Sequence, residues 1–87
     1  MIAIYIEGTG DGGFHMKNDH EQEVIVQGAG SWFGPLDANS NVELTAIPAG
    51  GSDFVGFGLD CAGSANPMHF HLDKPMTCSI RFDDNEL

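Results

Sequence analysis

"IEGTGDGGF", residues 6–14, decides how this chain is read. Gly8, Gly10 and Gly13 spell G-x-G-x-x-G directly after the strand-like run "IAIYI" (2–6). That is where a dinucleotide-binding unit carries its phosphate-binding turn. Such a unit starts a helix at the glycines, and the helix N-terminus holds the pyrophosphate. Here the glycines lead into "FHMKNDHEQE" (14–23), and the stretch from Lys17 to Glu23 has no apolar residue to bury against a sheet. Phe14 and Met16 alternate as a strand would, and Gln27 takes the place of the acidic residue that binds the ribose. The glycines therefore predict a turn between two strands, with glycine where the backbone needs positive φ.

Working outward, the chain breaks into short alternating runs. Ile2, Ile4 and Ile6 share one face of a first strand, and "GFHMK" (13–17) and "EVIVQ" (23–27) supply two more. "VELTAI" (42–47) points Val42, Leu44 and Ala46 inward, while "FVGFGL" (54–59) is weakened by Gly56 and Gly58. "MHFHL" (68–72) and "TCSIRF" (77–82) follow, the latter with Cys78, Ile80 and Phe82 on one face. Twelve glycines and four prolines punctuate these runs, and no window carries a helical stripe. The expected architecture is all-β or β-rich: one domain over residues 1–87, a single small antiparallel sheet of about six or seven short strands.

An 87-residue chain has room for one small core, with roughly 60% of the unfolded surface buried. Thirteen acidic side chains face three basic ones, Lys17, Lys74 and Arg81, for a formal charge of −10. Nucleic acids and anionic membranes are bound largely through clustered Lys and Arg, so neither is expected as a partner. No run approaches membrane-spanning length, and Met1 leads into "IAIYIEG" with no signal-peptide pattern. As given, the chain reads as cytoplasmic or as an excised extracellular domain.

Residues 41–82 resemble the divergent internalin-type B-repeat, a bacterial repeat domain. The resemblance lies in "LTAIPAGGSDFVGF" (44–57) and "NPMHFHLD" (66–73), which match the repeat in order and spacing. The opening "IAIYIEGTGDGGFHM" (2–16) is similar to its first strand and G-x-G turn. Phe57 stands where the repeat usually has Trp, and "EQEVIVQGAGSWFGPLD" (21–37) has no counterpart. The resemblance implies a β-grasp-like sheet and a stalk, spacer or adhesion role without catalytic residues or cofactor. A single copy starting at Met1 adds the expectation of a freestanding accessory protein of a phage or mobile gene cassette.

Four groups of residues are candidates for chemistry or contact. His69 and His71 share a strand face, and two neutral imidazoles so placed can ligate one metal ion if His15, His20 or a carboxylate supplies a third ligand. The plainer reading is two solvent-facing polar residues. Cys61 and Cys78, the only cysteines, allow one pairing; Cys78 reads first as a small apolar core residue, and the disulfide stays open. The lone tryptophan, Trp32, stands beside Phe33 in "GAGSWFGPLD" (28–37), either plugging the core or presenting aromatic surface to a partner. "DHEQE" (19–23) and "DDNE" (83–86) lack calcium-loop spacing and read as solvated charge.

No nucleophile elbow or three-ligand motif appears. The expected function is thus a non-catalytic protein-interaction or structural module, with another protein or a second copy of itself as partner. A small metal- or ligand-binding protein using His69 and His71 is the alternative.

Overall fold

A strand turns successive side chains to opposite faces, and the apolar positions of this chain follow that alternation. In the computed structural model, which describes residues 1–27 and 30–85, the chain runs through eight strands. They are β1 (Ile2–Glu7), β2 (Gly12–Asn18), β3 (Glu23–Val26), β4 (Ser31–Gly34), β5 (Ser40–Pro48), β6 (Ser52–Leu59), β7 (Met68–Leu72) and β8 (Met76–Asp84). Ile2, Ile4, Phe14, Met16, Val42, Leu44, Ala46, Cys78, Ile80 and Phe82 are all buried, each at a position where the alternation points inward.

The strands form two four-stranded sheets, ordered β4-β1-β8-β6 and β3-β2-β5-β7. Their apolar faces meet in one cluster drawn from both sheets. Within the first sheet, β1 pairs with β8 in parallel, from Ile2 opposite Met76 to Glu7 opposite Arg81, so the opening and closing strands lie side by side. The all-β expectation holds, and three details differ from it. One sheet becomes two. The parallel β1–β8 pair joins the antiparallel ones. β4 is an eighth strand, on a stretch not counted among the expected strands. A β-grasp packs a helix on its sheet; among the described residues there is no helix, and the second sheet covers the core in its place.

The glycine turn is the corner where the chain leaves one sheet for the other. Gly8 has φ +97°, and a β-carbon there would collide with the Phe82 carbonyl oxygen. The Gly10 N–H donates to that same carbonyl (2.9 Å). The Asp11 N–H donates to Ser52 Oγ (2.9 Å) and the Asp84 N–H to Thr9 Oγ1 (3.0 Å). With β2 following at Gly12, no helix receives a phosphate, and the glycines serve close backbone approach.

Cys78 does point into the core, but as half of a disulfide with Cys61, their Cα atoms 5.2 Å apart. The inward direction expected of Cys78 holds, and the pairing left open by the sequence is made. Leu59, at φ 60°, turns the chain at the end of β6 opposite Cys78. Asp60 then clamps the turn to β8: its N–H donates to the Thr77 carbonyl and its carboxylate accepts the Thr77 N–H, both at 2.9 Å. Cys61 is thereby delivered beside Cys78 and is itself buried.

Candidate functional site

Two surfaces hold the residues singled out from the sequence. On the outer face of the second sheet, the register lines up Glu23, Lys17, Glu43 and His69 as one row across β3, β2, β5 and β7. Lys17 Nζ lies 3.8 Å from Glu43 Oε1, and His69 Nε2 lies 3.3 Å from Glu43 Oε2. In the next row His71 Nδ1 contacts Asn41 Oδ1 at 3.0 Å. Asp19 completes the group, accepting the Asn41 N–H (2.9 Å) and side-chain amide (3.0 Å). These two bonds, the backbone one foremost, hold the Asp19 carboxyl below its ordinary value. Lys17, Asp19, Asn41, Glu43, His69 and His71 line a shallow depression of about 530 Å³.

His69 and His71 thus share a face as their spacing requires, yet each turns to its own β5 neighbour. His15 instead pairs with Glu23 (2.8 Å), and His20 with Asp37 (3.1 Å) in the turn region. Among the described residues no three His, Cys, Asp or Glu side chains gather to hold a metal ion. "DHEQE" forms the β2–β3 turn, where Asn18 Oδ1 accepts the N–H groups of His20 (3.1 Å) and Gln22 (2.9 Å). In "DDNE", Asp83 accepts from Arg81 Nε (3.1 Å), and Glu86 lies outside the described residues.

The second surface is the outer face of the first sheet at β4. Trp32 and Phe33 are split by the strand they occupy. Trp32 lies opposite Ile4 and turns inward, its ring edge-on to Phe14 at 5.9 Å. Phe33 lies opposite Ala3 and turns outward, 70% exposed. Tyr5, opposite Ser31 and diagonal to Phe33, is 47% exposed. Diagonal neighbours of this kind are within reach for aromatic rings. Gly28 and Ala29 of the same stretch lie outside the described residues. The surroundings of Phe33 carry no charge: Ser31 and Gly34 flank it, and Ala3, Tyr5, Thr77 and Ser79 continue the face across β1 and β8. Charge returns at Asp60, whose carboxylate accepts the Thr77 N–H, and at the far end, where Glu7 lies opposite Arg81. Tyr5 was legible only as the outward member of "IAIYI"; nothing in that run ties it to Phe33, because the β1–β4 register makes the pair.

Fold and surfaces together define a class: a small, disulfide-linked, acidic β-sandwich with a polar face on one sheet and an aromatic patch on the other. No family model, no curated protein and no solved structure matches the chain.

Proposed function

We propose that this protein is a non-catalytic interaction or structural module that works through protein contact and associates with copies of itself. The observation that carries the proposal is Phe33, a large aromatic side chain left 70% exposed on an edge strand in an uncharged neighbourhood. Exposed aromatics of this kind dominate the energy of protein interfaces. On a chain of charge −10, copies repel one another, so association has to rest on apolar burial away from the carboxylates. The resemblance of residues 41–82 to bacterial surface repeats supports the structural role. The Cys61–Cys78 disulfide suits an oxidising compartment, where such proteins work.

Size-exclusion chromatography with light scattering, on wild type and Phe33→Ala, tests this reading. Wild type should exceed the monomer mass of 9.3 kDa as concentration rises, and Phe33→Ala should remain monomeric. Equal, monomeric behaviour of both refutes it.

A further inference from the structure

β6 is the outermost strand of the first sheet and β7 of the second. β7 has five residues against nine in β5, and their pairing stops at Met68 opposite Leu44. The end of β5 past Leu44 therefore has no strand on that side. Residues 60–66, which join β6 to β7, cover both edges. The β5–β7 register carried one step further puts Asn66 opposite Ala46, and there a side chain takes the place of a strand. The Ala46 N–H donates to Asn66 Oδ1 (2.9 Å), and Asn66 Nδ2 donates to the Ala46 carbonyl (3.0 Å). On β6 the Phe57 N–H donates to the Gly63 carbonyl (2.7 Å), and the Gly63 N–H to the Phe57 carbonyl (3.2 Å). The start of the segment is fixed to β8 by the Cys61–Cys78 disulfide and the Asp60–Thr77 bonds.

We propose that residues 60–66 are an autoinhibitory strap that seals β6 and the end of β5 against strand addition, and that releasing it lets copies pair edge to edge. Backbone N–H and C=O groups along an open edge are a template for another strand. The strap meets each edge with one donor and one acceptor, so Phe57 and Ala46 bond to it as they would to a neighbouring strand. The strands beneath it are the long ones. β5 has nine residues and β6 eight, whereas the edge strands β3 and β4 have four each, and very short edges are poor templates. The strand that the uncovered edge would accept is a second copy of β6. From Phe54 to Leu59 that strand has no charged side chain and no proline, though Asp53 and Asp60 flank it. Such stretches pair with copies of themselves. This contact is separate from Phe33 and stands or falls without it.

The test uses a Phe33→Ala background, so that the contact proposed above contributes nothing. Asn66→Ala removes both bonds to Ala46. Gly63→Ala strains a residue at φ +152° and drives a β-carbon against Met68 Cε, which lifts the strap from β6. With both changes, and the fold checked by circular dichroism, the Ala46 and Phe57 amides should exchange with solvent at least about tenfold faster. Sedimentation velocity should show a mass that climbs with concentration above that of Phe33→Ala alone. Adding Val55→Lys, a charge on the β6 edge, should reverse the climb. Ile2→Val, a core change on β1 away from the strap, should not produce it. If the double change loses the fold, Asn66→Ala alone should still speed exchange at Ala46 and raise the mass by a smaller amount. Fast exchange with no added mass up to about millimolar concentration would overturn the proposal. So would unchanged exchange at Ala46, or equal association of Ile2→Val.

Discussion

Trp32 and Phe33 are consecutive in the chain yet belong to different environments: one ring packs edge-on to Phe14 at 5.9 Å, the other stands 70% exposed. A strand turns successive side chains to opposite faces, so one dipeptide serves both core and surface. Trp32→Ala should cost about 2 kcal/mol or more, because the part-buried ring leaves a cavity beside Phe14. Phe33→Ala should change stability by less than about 0.5 kcal/mol. Urea denaturation of both variants checks the contrast, and equal losses would place both rings in the core.

The disulfide closes a loop between positions 17 apart in sequence. Constraint of the unfolded chain by such a loop is worth about 3 kcal/mol. Cys61→Ala with Cys78→Ala should shift the urea midpoint down accordingly, and thiol titration of the unfolded, unreduced protein should find no free sulfhydryl. Two free thiols would contradict the pairing.

Gly8 at the sheet corner should be far less replaceable than Gly50 in the β5–β6 turn. Gly8→Ala places a β-carbon against the Phe82 carbonyl at φ +97° and should cost more than about 1 kcal/mol. A β-carbon at Gly50 would have nothing within 4 Å, so Gly50→Ala should be nearly neutral. Thermal melts of the two variants separate these outcomes, and a harmless Gly8→Ala would refute the close approach of the corner to β8.

How much of this was legible in the sequence follows from the range of the interactions involved. The buried faces of β1, β5 and β8 could be read because period-two alternation is local: Ile2/Ile4, Val42/Leu44/Ala46 and Cys78/Ile80/Phe82 all lie inward. β4 was missed because "SWFG" is four residues long and set among glycines, with its strand character supplied by pairing with β1. The parallel β1–β8 pair joins residues more than seventy positions apart, and the division into two sheets rests on other long-range pairings such as β1–β4 and β2–β5, all beyond any local pattern. The disulfide hinged on the Leu59–Asp60 turn, since the inward direction of Cys78 alone suits a thiol equally well. His69 and His71 were placed outward by alternation, but Glu43 and Asn41 became their neighbours through the β5–β7 register.

Acid should loosen the tie between the β2–β3 turn and β5. The Asp19 carboxyl is held below its ordinary 3.8 mainly by the Asn41 N–H, so its contribution is present above pH 3.8 and is lost as pH falls through the lower folded value. Asp19→Asn should weaken the protein at neutral pH and flatten this acid limb. Stability curves from pH 2 to 7 for both proteins check the sign; an unchanged acid limb in Asp19→Asn would contradict it.

The central claim, that the protein works by apolar self-contact against its own charge, is tested most directly by sedimentation velocity of the wild type across a salt series. Raising ionic strength screens repulsion between exposed carboxylates while leaving apolar burial intact. The account predicts that the weight-average mass climbs above that of the monomer with protein concentration, and climbs further at each higher salt. A single monomeric boundary at every concentration and salt, or association that salt dissolves, would contradict it.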